Sequence, residues 1–315
     1  MTETSAQEQS TIATNNAPVN VEVDTSYEND SSYGDELSSY SASLTSSVLN
    51  YRYENGRRYH KYRDGSYLLP NDKSESDRLD MLHELCLQLL HRKLYLAPIK
   101  NSQRVINLGT GTGIWPVDFG DRLRLEPDPA DSSFSERQVS GGRHRVGMNN
   151  QFDFIHARFL AVSIRDFGRL IKQCYRSVKP GGWVEFQDYD GYPYSEDGSL
   201  NDTQLQKYYD EIYGAFETAG YETRPGPKLE NWFKDAGFVN VRTEKFMIPY
   251  GVWPKDHHLK KIGTWAQAGA EAGFESVALA ALTRYKNWTK EEVIRLASEA
   301  RADGRKCDLH VLFNL

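Results

Sequence analysis

Arg104-Val105-Ile106-Asn107-Leu108 is a short apolar strand, and it runs straight into Gly109-Thr110-Gly111-Thr112-Gly113 and then Ile114-Trp115-Pro116-Val117-Asp118-Phe119. Glycines at alternate positions allow a sharp turn that residues with a β-carbon resist. Pro116 suits a first helical turn, where an amide hydrogen has no partner inside the helix. Strand, glycine turn and helix start, in that order, open a doubly wound α/β fold. The expected class is therefore α/β: a Rossmann-like, doubly wound sheet with extra helices.

The flanks supply the remaining elements. Upstream, Ser74-Glu75-Ser76-Asp77 has the pattern of a capping box. Leu79, Leu82, Leu85, Cys86 and Leu89 then recur at helical spacing, which predicts a helix from about 75 to 94. Downstream, residues 121–150 show neither a strand-like run nor a helical stripe. Phe152-Asp153-Phe154-Ile155-His156 reads as a second strand, with a helix over Leu160, Ile164, Phe167, Leu170 and Ile171. Lys179-Pro180-Gly181-Gly182 reads as a tight turn into a third strand, Trp183–Gln187. Helices are expected at 201–219, 229–236, 258–285 and 289–302. Gly237 is placed to cap the second of these. Strand material is expected at 238–241, 244–248 and 309–313.

Charge separates the chain into two parts. Residues 1–50 hold eight acids and no Lys or Arg, whereas the remainder carries 38 basic and 36 acidic residues. The net charge of −6 therefore belongs to the tail. Rich in Ser, Thr and acids, the tail cannot bury enough apolar surface to offset the entropy of ordering it, and it reads as disordered. The remainder lacks the concentrated basic face that nucleic acid requires; the densest run, Arg57 to Arg63, reads as solvated surface. No window is apolar enough to span a membrane, and the N-terminus lacks the pattern of a secretory signal. Three well-separated cysteines exclude a disulfide scaffold and point to an intracellular protein, in cytoplasm or nucleus. His257-His258 has no ligand-spaced partners, so no metal is expected.

A glycine turn before a helix N-terminus exposes backbone amides to a ligand. Dinucleotide enzymes use G-x-G-x-x-G, but the third glycine position here is Ile114, which disfavours a nicotinamide-dependent oxidoreductase. A phosphate-binding loop needs Gly-Lys-Ser/Thr, which is missing. The G-x-G-x-G form resembles motif I of class I S-adenosyl-L-methionine (SAM) methyltransferases. Lys179-Pro180-Gly181-Gly182-Trp183-Val184-Glu185 and Ala236-Gly237-Phe238 resemble later turns of the same fold. Further similarity comes from Tyr53-Glu54-Asn55-Gly56-Arg57-Arg58-Tyr59-His60, Asp77-Arg78-Leu79-Asp80 with His83, and Phe152-Asp153-Phe154-Ile155-His156-Ala157-Arg158. Together these resemble the fungal LaeA-like family of SAM-dependent methyltransferases and methyltransferase-like regulators of secondary metabolism.

The resemblance runs from Tyr51 to Leu315 and implies one methyltransferase-like domain over 51–315. Within it, 51–100 would be an N-terminal flap and helix, 101–250 the SAM-binding core with an irregular 121–150, and 251–315 the C-terminal helices and last strand. It implies SAM as cofactor, with Asn107, Gly109, Thr110, Gly111 and Gly113 around its amino-acid end. Family members place an acid for the ribose after a second strand. Here Asp128 and Asp131 lie near that distance, and Pro127 and Pro129 argue against a central strand. Asn107 stands where the family usually has Asp. His156 and Asp188 are the candidate bases; the alternatives are a packed histidine and plain loop polarity. Two readings follow: an enzyme methylating a small-molecule acceptor of fungal secondary metabolism, or a regulator working through a protein partner with weak SAM binding.

Overall fold

The computed structural model describes residues 51–60, 67–100, 102–125, 138–141 and 152–315. The acidic tail, residues 61–66, Asp128 and Asp131 lie outside these. The chain opens with an antiparallel hairpin, β1 (Tyr51–Glu54) and β2 (Arg57–His60). Helix α1 spans Lys73–Leu89. Its cap is Asp72, which accepts from the Glu75 amide at 3.1 Å, rather than the Ser74 motif. Arg57 forks onto the Asp72 carboxylate and anchors the cap to β2. The helix ends five residues before the expected 94, because His91 and Arg92 take positive φ values and reverse the chain.

Four parallel strands form the central sheet in the order β4-β3-β5-β6. They are β3 (Arg104–Leu108), β4 (Gln138–Gly141), β5 (Phe152–Arg158) and β6 (Val178–Gln187). Helix α2 (Ile114–Leu125) connects β3 outward to β4, and α3 (Phe167–Ser177) connects β5 outward to β6 in the opposite direction. The winding thus reverses between β3 and β5. Side chains alternate accordingly. Val105 and Phe154 pack with Trp115, Phe119 and Leu87 under α1 and α2. Ile106, Leu108, Ile155 and Ala157 pack with Phe167 and Cys174 of α3 on the other face. The doubly wound expectation matches this arrangement.

The reading of 121–150 as devoid of structure is corrected in two places, 121–125 and 138–141. Helix α2 runs to Leu125, and β4 pairs in parallel with β3 from Arg104↔Gln138 to Asn107↔Gly141. Gln-Val-Ser-Gly carries one large apolar residue, so an edge strand held by its ladder leaves no hydrophobic signature. The expected turn at 179–182 is instead part of β6, which carries a register shift opposite Phe152 and Phe154.

Beyond the sheet come α4 (Gln204–Thr218), α5 (Gly226–Ala236), β7 (Met247–Pro249), α6 (His257–Tyr285), α7 (Lys290–Gly304) and β8 (Leu312–Asn314). Gly237 caps α5 at φ 101°, as expected, and Thr289 forms a capping box on α7. Of the predicted strands in 238–248 only β7 forms. It pairs antiparallel with β8 in a separate two-stranded sheet. Residues 238–246 instead face the outer edge of β6 across a groove of about 960 Å³. Helices α4, α6 and α7 share a core with Tyr59, Leu68 and Leu69. Helix α1 lies between this layer and the sheet, with Leu82, Leu85 and Leu89 against Ile262 and Trp265 of α6.

Candidate active site

Open α/β sheets bind ligands at the carboxyl ends of their strands, where the winding reverses. That point lies between β3 and β5, and the glycine turn occupies it. Gly109, Gly111 and Gly113 take φ values of 68°, 58° and 88°, all in the left-handed region open to glycine. The Thr110 hydroxyl donates to the Asn107 carbonyl at 3.1 Å, and the Gly113 amide donates to the Thr110 carbonyl at 3.0 Å. The Thr112 hydroxyl donates to Asp80 Oδ1 at 2.7 Å, tying the turn to α1. The amides of Thr110, Gly111 and Thr112 have no hydrogen-bond partner among the described residues. Free amides at a helix N-terminus can receive a polar or anionic group.

Asn107 lies directly under the turn, and its register partner across the sheet is His156. His156 Nδ1 is 2.7 Å from Asn107 Oδ1. The imidazole stacks on the Trp115 indole at 3.9 Å between centroids and is wholly buried. Burial, aided by the nearby Arg158 charge, holds its pKa well below the usual histidine value. His156 is thus a neutral group inside the layer beneath α2, reaching the turn through Asn107.

Asp188 follows β6. Its carboxylate accepts from the amides of Leu160 (2.8 Å), Ala161 (3.0 Å) and Tyr189 (3.0 Å). Burial pushes its pKa up to about 7 against those three donors. The aspartate therefore ties the end of β6 to the segment after β5, where Phe159 and Val162 take positive φ.

Other groups at the site had no assigned role in the sequence. His83 of α1 lies 2.9 Å from Asp118 Oδ2 through Nε2, and 2.8 Å from Arg158 Nη2 through Nδ1. The guanidinium can only donate, so Nδ1 accepts and Nε2 carries the hydrogen. Burial lowers the His83 pKa, and the hydrogen bond from His83 lowers that of Asp118. The available signal was the pair Asp80 and His83, polar positions beside the buried leucines of α1.

A doubly wound sheet bearing a left-handed glycine turn at its reversal point, roofed by a helix from upstream in the chain, has the architecture of a class I methyltransferase. A family model described as a methyltransferase domain matches residues 80–243, just over half of the chain. The chain is 39% identical over 285 residues to methyltransferase pytC of Aspergillus terreus, covering 86% of this chain and 88% of that protein. It is 31% identical over 265 residues to secondary metabolism regulator LAE1 of Cochliobolus heterostrophus, covering 77% and 85%. It is 27% identical over 274 residues to protein-methionine methyltransferase laeA of Emericella nidulans, covering 82% and 72%. The chain belongs to the fungal LaeA-like methyltransferase family. No helix among the described residues is long and apolar enough to cross a membrane.

Proposed function

We propose that the protein is a SAM-dependent methyltransferase acting on a small-molecule acceptor in fungal secondary metabolism. The observation that carries this reading is the turn at 109–113, whose unpartnered amides and left-handed glycines lie at the reversal point of the sheet. These residues fit the amino-acid end of SAM, which is polar and approaches bare backbone. Gly109, Thr110, Gly111 and Gly113 would hold it, and Asn107 would orient its amino group. Bound there, SAM would supply an electrophilic sulfonium methyl to the acceptor's lone pair, with S-adenosylhomocysteine as the leaving group and the acceptor's proton released to solvent.

The chain's own contribution is alignment, the main source of rate in such an in-line displacement. His156 acts as a positioning residue through Asn107. Asp188 acts by fixing residues 159–162 beside the turn; its oxygens are already engaged by backbone amides. The described residues of β4 end in Ser140-Gly141 with no carboxylate, so the ribose contact falls to residues after it, or to Asp128, both outside the described residues.

Calorimetric titration with SAM and S-adenosylhomocysteine tests the reading. Micromolar binding is expected, and Gly111→Arg is expected to abolish it while the fold remains. A folded protein that binds neither compound overturns the enzyme reading. That result would favour the regulatory one, which is supported by the relatives named as regulators of secondary metabolism. Tight stoichiometric association with a protein partner, without methyl transfer, is its expected signature.

A further inference from the structure

A partly enclosed chamber of about 190 Å³ adjoins the glycine turn along α1. Two distances mark this adjacency. Leu79, in the chamber wall, has Cδ1 3.4 Å from where a β-carbon on Gly111 would stand. Phe159, Ala161 and Val162 also line the chamber, and their neighbour Leu160 has Cδ2 2.7 Å from the corresponding point on Gly109. The larger groove along β6 is lined neither by residues 159–162 nor by Leu79. The chamber, at the strand carboxyl ends, is therefore the one within reach of a methyl group held at the turn.

Its chemistry is narrow. The walls combine aliphatic side chains with many aromatic ones, including Tyr189, Tyr209, Tyr213, Phe216 and Phe274. Arg78 is the one ionised side chain among the described residues that line it. Arg78 forks onto Glu75 at 2.8 and 2.6 Å, so the pair is neutral overall. An anionic ligand finds its cation already taken, and a cationic one finds no free carboxylate. The hydroxyls of Tyr189, Tyr209 and Tyr213 have no hydrogen-bond partner among the described residues, whereas that of Tyr208 donates to the Phe274 carbonyl at 2.8 Å. A purely hydrocarbon ligand would leave these three hydroxyls unmatched, beside the unpartnered buried hydroxyl of Tyr250 in the same wall, which is unfavourable. As for size, an apolar cavity of about 150 Å³ suffices for benzene.

We propose that this chamber binds the methyl acceptor, and that the acceptor presents to it a flat, uncharged aromatic ring carrying oxygen substituents. The apolar walls enclose the ring, and the Tyr189, Tyr209 and Tyr213 hydroxyls donate to its oxygens. The proposal rests on the methyltransferase reading above.

The test is calorimetric titration of the full chain, with and without saturating S-adenosylhomocysteine. The probes are 2-naphthol, 2-methylnaphthalene and N-acetylmethionine amide. Wild type is expected to bind 2-naphthol more tightly than its oxygen-free counterpart, by about fivefold per hydroxyl engaged. Tyr209→Phe with Tyr213→Phe, which keeps the shape, is expected to erase most of that preference. Ala270→Phe, which fills the chamber, is expected to abolish binding of both while leaving S-adenosylhomocysteine affinity unchanged. Equal affinity for the two naphthalenes in wild type overturns the proposal, as does naphthol binding that survives Ala270→Phe. Tighter binding of N-acetylmethionine amide overturns it in favour of a peptide side chain. If S-adenosylhomocysteine fails to bind while naphthol binds as expected, it is the cofactor reading that falls.

Discussion

Asn107 Oδ1 and His156 Nδ1 face each other across two adjacent parallel strands at 2.7 Å, beneath the turn whose glycines carry positive φ. The amide oxygen accepts, so the imidazole carries its hydrogen on Nδ1 and the Asn107 NH₂ is directed away from the histidine. His156→Phe removes the donor and leaves a buried amide oxygen unmatched. The expected cost is about 1–3 kcal/mol of stability by urea unfolding. Weaker binding of S-adenosylhomocysteine is expected beside it, because Asn107 is no longer held. Unchanged affinity would show that this bond has no part in positioning the ligand.

The same histidine gives the pH dependence a sign. Its folded pKa is depressed by burial below the ordinary 6.5. Above that value both states are neutral. As pH falls below it, the unfolded chain takes up a proton that the folded chain refuses. Wild type therefore loses stability on acidification by up to about 1.4 kcal/mol per pH unit from this group. The gap between wild type and His156→Phe is expected to close between pH 7 and pH 5.

Asp188 carries the opposite sign. Its folded pKa of about 7 lies above the ordinary 3.8, so the folded chain holds the proton more strongly. Its contribution is fully present at low pH and declines as pH rises to about 7, with no further change above. Denaturation of wild type and Asp188→Asn from pH 4 to 8 checks this. The advantage of wild type over the variant should be largest at pH 4 and level off above 7.

Gly109→Ala tests the turn itself. The substitution places a β-carbon in the left-handed region and 2.7 Å from Leu160 Cδ2, which is itself buried. Left-handed backbone costs an ordinary residue about 1–2 kcal/mol, and overpacking adds a further amount of about 1–3 kcal/mol. Loss of S-adenosylhomocysteine binding together with a lowered urea midpoint is the expected outcome.

The glycine turn, both strands beside it and the helices at 204–218, 257–285 and 290–304 were legible because each has a strong local signal: apolar periodicity, a glycine pattern or a cap. Strand β4 was not, since Gln138-Val139-Ser140-Gly141 is a strand only by virtue of the β3 edge it pairs with. The start of α1 was misplaced because the cap that won, Asp72, is fixed by Arg57 across the chain rather than by its own neighbours. Residues 238–245 have strand-like composition but no strand pairs with them among the described residues, whereas Phe246 exchanges backbone hydrogen bonds with Leu315 beyond β8. At the site, His156 was legible as a histidine after a strand, but its place beneath Trp115 was not. The chain of Asp118, His83 and Arg158 joins two helices and a strand that only the fold brings together.

The buried pair in the chamber wall supports a last prediction. Arg78 and Glu75 lie one turn apart on α1, both buried, and Glu75 also accepts from the Ser276 hydroxyl of α6 at 3.3 Å. Burial opposes the Arg78 charge, and the Glu75 carboxylate more than offsets that, raising the arginine's pKa. Removing one partner from such a pair leaves an uncompensated buried charge and costs about 3–5 kcal/mol, while replacing both is often close to neutral. Arg78→Met alone is therefore expected to be strongly destabilising. Adding Glu75→Gln to it should recover most of the loss, giving a large coupling energy in the double-mutant cycle. Additive effects in urea unfolding would mean that each charge is stabilised by something other than its partner, and that the chamber wall is not electrically neutral.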